Sequence, residues 1–130
     1  MSKVLIIDHR PHVQKCIQSF FLNRVLDSTK DNEIMRAYST REAKKLIREK
    51  GPTVIVLGDV PEKEDPRILL VFMYNTAPKA KYIVCGADEQ FGREAMVTGA
   101  HGVFSSKMLL MPDKNDQYLQ GVVKTLKKFI

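Results

Sequence analysis

The stretch TVIVLGDVP (residues 53–61) shows most clearly the pattern that predicts the fold. Its residues 54–57 are all apolar, which is typical of a parallel strand that is covered by helices on both faces. The run stops at Gly58 and Asp59, and both residue types favour turns. Reactive acids in parallel sheets also lie where strands stop, so Asp59 is either a functional carboxylate or a turn residue.

Further apolar runs lie on both sides of this stretch and alternate with helical patterns. The strand candidates are residues 3–8, 33–38, 53–58, 81–86 and 101–105. Between them, apolar residues recur with the period of a helix, and Ser39 with Glu42 forms a capping box at the start of the second helix. The later helices are predicted through residues 66–75, through residues 89–99 and from about residue 113. Five strand–helix units predict one α/β domain over residues 1–130, with a doubly wound, five-stranded parallel sheet.

Composition and charge exclude several classes of protein. The 130 residues include 21 Lys and Arg against 15 Asp and Glu, for a formal net charge of +6. These charges are spread along the chain without an Arg-rich block, which favours a basic surface over a nucleic-acid site. Cys16 and Cys85 lack metal-binding or redox spacing and are predicted to be reduced, buried thiols. No segment is long and apolar enough to span a membrane, and we expect a cytoplasmic protein.

The ends of the predicted strands carry the candidate functional residues, because ligands of doubly wound sheets bind there. The segment DHRPH (residues 8–12), after the first strand, lacks the glycines of a dinucleotide or phosphate-binding loop. A nucleotide enzyme is therefore not expected. His9 and His12 are interpreted as surface groups rather than as metal ligands.

Three segments resemble the response-regulator receiver family. KVLIIDHRPHVQKCI (residues 3–17) is similar to the family's opening, in which the first strand ends in an acidic pair. GAHGVFSSK (residues 99–107) is similar to its Gly-Ala-x-x-Tyr-Leu-x-Lys segment, and Pro52 and Asp65 align with its third-strand pattern. The resemblance covers nearly the whole chain. It implies the CheY-like fold with strand order 2-1-3-4-5, and we expect no output domain.

Most of the positions that carry chemistry in that family are altered in this chain. The resemblance places Asp8 on the first acid, His9 on the second, Gly58 on the phosphoacceptor, Gly86 on a Thr or Ser, Ser106 on the lysine and Val103 on a switching aromatic. Aspartyl phosphorylation needs a carboxylate nucleophile, a Mg²⁺ site and donors for the transferred group. We therefore expect a pseudo-receiver that is not an enzyme, holds no cofactor or metal, and serves two-component signalling as a protein-interaction module.

Two alternatives remain open. Asp59 and Lys107 each lie one residue beyond the required position, which in a strand turns the side chain to the opposite face. A bulge at each strand end would restore an authentic phosphoreceiver that uses Asp59 and Lys107 together with Asp8, which would then bind Mg²⁺ weakly. The other alternative is a small basic nucleic-acid-binding protein.

The pseudo-receiver interpretation carries two expectations for the acids. Asp59 is expected to be a turn residue. Asp8 is expected to be an acid without a partner, whose removal leaves stability nearly unchanged or raises it.

A run of four apolar residues precedes the last predicted helix and is the candidate interaction surface. The run consists of Met108, Leu109, Leu110 and Met111. Exposed apolar patches usually mark contact sites, although core packing is an equal interpretation. In the receiver family, the fourth helix, fifth strand and fifth helix commonly form the output surface, and this run would lie at its edge. We expect the run, between Lys107 and Lys114, to dock a protein partner or a second copy of the chain.

Overall fold

Five strands alternate with helices in the computed structural model, which describes residues 2–86 and 88–130. The strands are β1 (Ser2–Ile7), β2 (Asn32–Ala37), β3 (Val54–Leu57), β4 (Lys81–Gly86) and β5 (Gly102–Ser105). The helices are α1 (Pro11–Phe20), which continues as a π-helical segment (Phe21–Val25), α2 (Thr40–Lys50), α3 (Pro66–Thr76), α4 (Glu89–Thr98), α5 (Ser106–Leu110) and α6 (Asp116–Lys127).

The sheet has the predicted topology. All four strand pairs are parallel, and the order is β2-β1-β3-β4-β5. Ile7 pairs with Leu57, so β1 and β3 end at the same level, while β4 runs two residues beyond the partner of Leu57. This register places the residues that follow β1 and β3 side by side at the carboxyl edge, next to the end of β4.

Each face of the sheet packs against its own set of helices. Helices α2, α3 and α4 cover the face that includes Leu5 and Ile7, whereas α1, α5 and α6 cover the face that includes Val4 and Ile6. All four of these β1 residues are fully buried. Burial on both faces explains why the strands are apolar at consecutive positions rather than at alternate ones.

The helix ends have physical causes that can be traced to single residues. The Ser39 hydroxyl accepts a hydrogen bond from the Glu42 N–H at 3.2 Å, which confirms the predicted cap of α2. Asp88 caps α4 by accepting from the Phe91 N–H at 3.1 Å. Gly99 ends the same helix with a φ of 119°, a left-handed conformation that favours glycine. The two caps thus fix where α2 and α4 begin at the carboxyl edge, and Gly99 fixes where α4 ends before β5.

Several predicted boundaries differ from the structure by one to three residues. β1 ends at Ile7 and β3 at Leu57, so Asp8 and Gly58 lie just beyond the strands rather than inside them. The last helix begins at Asp116 and not near residue 113. The short helix α5 was not predicted. The Ser105 hydroxyl caps its start by accepting a hydrogen bond from the Lys107 N–H at 3.2 Å, and a serine cap before so short a helix is too weak a signal to recognise in the sequence.

Among residues 2–86 and 88–130, no helix has both the length and the apolar character that crossing a lipid bilayer requires.

Candidate functional site

Asp8 is the buried acid at the carboxyl edge of the sheet. Its side chain is 0% exposed, and its carboxylate accepts four hydrogen bonds. Two come from the backbone N–H groups of Arg10 (2.9 Å) and Asp59 (3.0 Å), and two from Nε (3.0 Å) and Nη2 (2.9 Å) of the Arg10 guanidinium. The expectation that Asp8 has no partner is therefore wrong.

Arg10 connects two carboxylates. Its Nη2 lies 2.9 Å from Asp8 Oδ2 and also 2.9 Å from Asp59 Oδ2. The Arg10 pKa is raised, chiefly by its side-chain hydrogen bond to Asp8. The guanidinium is therefore charged at every physiological pH. A fixed positive charge thus lies between the acid that follows β1 and the acid near the end of β3.

Gly58 follows β3 and leaves no space for a side chain. A Cβ atom at this position would overlap Asp8 Oδ2 and would lie 2.9 Å from the backbone oxygen of Ile7. The Gly58 N–H donates to that same oxygen at 2.6 Å, which holds the backbone in place. The carboxylate of Asp8 therefore fills the space toward which a side chain of residue 58 would point.

Asp59 turns its side chain over the strand ends. Its Oδ2 contacts Arg10, and its Oδ1 would lie 2.9 Å from a Cβ at Gly86. Because β3 already ends at Leu57, strand alternation does not fix the direction of Asp59. The expectation that a one-residue displacement points this carboxylate away from the site is wrong, although Asp59 does lie in the connection that follows the strand.

Ser106 and Lys107 follow directly after the end of β5. Ser106 is 1% exposed at the start of α5, whereas Lys107 is exposed. Within the described part of the chain, the ion pairs of Asp8 and Asp59 are with Arg10, and Lys107 takes part in neither. The structure therefore brings together Asp8 and Asp59 of the alternative set, but not its lysine.

His9 supports the site through the backbone of Asp59. The His9 N–H donates to the Asp59 carbonyl oxygen at 2.8 Å, and Nδ1 lies 3.0 Å from the same oxygen, where it can donate a second hydrogen bond. His12 is exposed on α1. In residues 2–86 and 88–130, no group of three or more His, Cys, Asp or Glu side chains is placed so that it could hold a metal ion.

An open cleft of about 540 Å³ borders the site, and four carboxylates line it. They belong to Asp59, Glu62, Glu64 and Asp88. Glu64 is held there by the Thr40 hydroxyl, which donates to it at 2.8 Å. A cleft with this charge attracts cations and repels phosphate anions.

The two thiols differ in environment. Cys85 is fully buried, and its pKa is raised well above the ordinary value by that burial and then by the negative charges of Asp8 and Asp59. A neutral buried thiol is unreactive, as the sequence predicted. Cys16 is also a free thiol but is only partly buried, so the prediction of burial is wrong for it.

The apolar run at residues 108–111 divides between core and surface. Leu109 is 5% exposed and packs in the core below α1, so its assignment to an exposed docking surface is wrong. Leu110 and Met111 are 39% and 55% exposed. Leu110 lines a groove of about 510 Å³ whose walls also include the cationic side chains of Lys15 and Arg24.

Sequence reasoning missed two residues that organise the site. One is Arg10, whose only signal is its position two residues after a strand-end acid. The other is Gln14, which is fully buried and whose Nε2 lies 2.8–3.1 Å from the carbonyl oxygens of Ile6, Asp8 and Ala37, which share its two N–H donors. The available signal was the position of this polar residue next to Val13, on the side of α1 that the apolar pattern predicts to be buried.

The fold and the edge site define a class of protein: a CheY-like, doubly wound α/β domain with a buried acid after β1. Comparison with solved structures narrows this class to the receiver-domain fold. A CheY-like receiver domain from Methanospirillum hungatei matches with a TM-score of 0.71 and 14% identity, over 99% of this chain and 96% of that one.

Two other solved structures agree. The receiver domain of AraT from Geobacillus stearothermophilus has a TM-score of 0.71 and 20% identity, over 98% of this chain and 93% of that one. The receiver domain of the Francisella response regulator 1452 has a TM-score of 0.67 and 20% identity, over 100% of both chains. At these identities the likeness shows the fold. No protein-family profile and no curated protein matches the sequence.

Proposed function

We propose that this protein is a pseudo-receiver, a protein-interaction module of two-component signalling that works without phosphoryl transfer. One observation carries the proposal: the phosphoacceptor position of the receiver resemblance is Gly58, and the carboxylate of Asp8 fills the space beside it. Such a module signals by binding and not by catalysis.

The surrounding chemistry supports the same conclusion. The remaining candidate nucleophile, Asp59, has one carboxylate oxygen in an ion pair with Arg10. Phosphoryl transfer to an aspartate is promoted by a metal ion and by cationic donors aimed at the transferred group. Here the Arg10 guanidinium is already paired with both Asp8 and Asp59, and among the described residues Lys107 forms an ion pair with neither acid. The neighbouring cleft is lined by carboxylates.

Small phosphodonors test this proposal. The protein is incubated with acetyl phosphate and Mg²⁺, and intact mass spectrometry records whether a phosphoryl group is added, with an authentic receiver as positive control. We expect no added group. A phosphoaspartate that disappears in Asp59→Asn would contradict the proposal and establish the phosphoreceiver alternative.

We further propose that the partner, or a second copy of the chain, docks on the exposed part of the 108–111 run. Leu110 and Met111 supply an apolar contact, and exposed lysines stand on either side at positions 107 and 114. Among residues 2–86 and 88–130, the groove beside them is lined by cationic but not by acidic side chains. This composition fits an acidic partner segment with apolar side chains.

A pair of matched variants tests the docking surface. Leu110→Ser with Met111→Ser should abolish association, measured by sedimentation of the purified protein and by quantitative recovery of an identified partner. The control is Ile68→Ser with Val71→Ser, which removes two side chains that are each 60% exposed on α3. Association that survives the first change and is lost in the second would move the contact surface to α3.

A further inference from the structure

We propose that Arg10 is the resident cation of the strand-end site, occupying with its guanidinium the place of a divalent metal ion. The inference goes beyond the proposed function, because it assigns a role to a residue inside the site and predicts a latent metal site beneath it. It is also independent of which partner the module binds.

The geometry is that of a cation shared between two acids. Nη2 of Arg10 lies 2.9 Å from Asp8 Oδ2 and 2.9 Å from Asp59 Oδ2, while Nε bonds the second oxygen of Asp8 at 3.0 Å. The planar guanidinium matches a carboxylate through two parallel hydrogen bonds, which a flexible ammonium group does not achieve. One group at this point therefore contacts both acids at once.

Burial makes a cation necessary here. The Asp8 carboxylate is 0% exposed, and an ionised buried acid needs both hydrogen bonds and an opposite charge. The backbone N–H groups of Arg10 and Asp59 supply hydrogen bonds, but the guanidinium supplies the charge. Without it, two carboxylates would face the same space, and carboxylate oxygens are the ligands that Mg²⁺ and Mn²⁺ prefer.

Arg10 also joins two loops, as a bridging metal ion would. It belongs to the connection between β1 and α1 and reaches Asp59 in the connection between β3 and α3. A backbone hydrogen bond of 2.8 Å, from the His9 N–H to the Asp59 carbonyl oxygen, joins the same two connections. Because the cation is part of the chain, the link is present at any metal concentration, and the edge is fixed in one state.

The test is the response of stability to metal after the cation is removed. Arg10→Met keeps much of the side-chain length and removes the charge, and the melting temperature is measured with increasing MnCl₂ or MgCl₂. We expect the wild type to be insensitive. Arg10→Met should melt several degrees lower and regain stability with saturable dependence on the metal, and Arg10→Met with Asp59→Asn should lose that response.

Arg67→Met is the matched control. Arg67 also bridges two acids, Asp65 at 3.6 Å and Glu94 at 2.7 Å, but its side chain is 53% exposed on the surface. Removing it should change the melting temperature little and create no metal response, because exposed ion pairs contribute little to stability.

Three outcomes would overturn the proposal. One is a wild type that responds to Mn²⁺ as strongly as Arg10→Met. Another is an Arg10→Met variant whose melting temperature does not rise with added metal, whether or not the substitution has lowered it. The third applies if Arg10→Met does not fold without metal. The variant is then refolded with Mn²⁺, and failure to recover the circular dichroism spectrum of the folded protein would overturn the proposal. Phosphodonor labelling of the wild type at a residue other than Asp59 would defeat the proposed function but not this inference.

Discussion

At the scale of the residue, the lack of a side chain at Gly58 and the position of the Asp8 carboxylate depend on each other. Asp8 Oδ2 occupies the space that a Cβ atom of residue 58 would need, and that Cβ would also lie 2.9 Å from the backbone oxygen of Ile7. The same carboxylate is tied to Arg10 and to the Asp59 N–H. A side chain at position 58 would therefore displace the acid that organises the whole edge.

Gly58→Ala should lower the free energy of unfolding by about 1–3 kcal/mol, because the added Cβ forces the Asp8 carboxylate out of its hydrogen bonds. Denaturant unfolding measures the effect. Gly121→Ala is the control, since nothing lies within 4 Å of that added atom in α6, and it should raise stability by about 0.5–1 kcal/mol. Equal effects of the two changes would contradict this account of Gly58.

Asp8→Ala should also destabilise, by about 3 kcal/mol, because it removes the acceptor of two backbone N–H groups and one of the two carboxylates that pair with Arg10. Equilibrium urea unfolding is the measurement, with the exposed Asp31→Ala as control. A loss below about 0.5 kcal/mol, the range of ordinary surface changes, would show that the hydrogen bonds of Asp8 contribute little.

At the scale of the element, His101 connects β5 to β4. The Tyr82 N–H donates to His101 Nδ1 at 3.1 Å, so the folded state needs the neutral ring. Partial burial, followed by the positive charge of Lys81, lowers the His101 pKa below its usual 6.5. At a pH between the His101 pKa of the folded state and that of the unfolded state, the unfolded chain binds more protons. The contribution of His101 to the free energy of unfolding is therefore fully present above pH 6.5 and is lost as the pH falls through the folded-state pKa.

The free energy of unfolding should consequently fall more steeply for the wild type than for His101→Gln as the pH drops from about 7.5 to about 5. Glutamine can accept the same hydrogen bond but does not titrate. Thermal or urea unfolding across this range gives the comparison. Parallel pH profiles for the two proteins would show that His101 contributes nothing to the pH dependence.

The elements also show what sequence can and cannot predict. Strand types, the parallel sheet and the α2 cap follow from apolar runs and local capping signals, so they were predictable. Helix α5 and the burial of Leu109 were not, because an apolar run in a connection fits either core or surface until its neighbours are known. The direction of Asp59 was missed for a related reason: it depends on β3 ending at Leu57, and strand boundaries are poorly specified by pattern.

At the scale of the whole molecule, the receiver-domain fold brings the candidate functional residues together at the carboxyl edge of the sheet. Helices on both faces and a sheet of order 2-1-3-4-5 bring the ends of β1, β3 and β4 together. At that edge, Arg10, Asp8 and Asp59 form a charged cluster in which one cation pairs with both acids. The fold supplies the scaffold, and the function follows from these side chains.

The most direct test of the central claim is a ¹H–¹⁵N spectrum recorded with Mg²⁺ and beryllium fluoride, which imitates an aspartyl phosphate. The account predicts that the amide signals of Asp59, Gly86 and Val103 stay in place as the mimic is added. Saturable shifts of these signals in the wild type that are absent in Asp59→Asn would contradict it and identify Asp59 as a working phosphoacceptor.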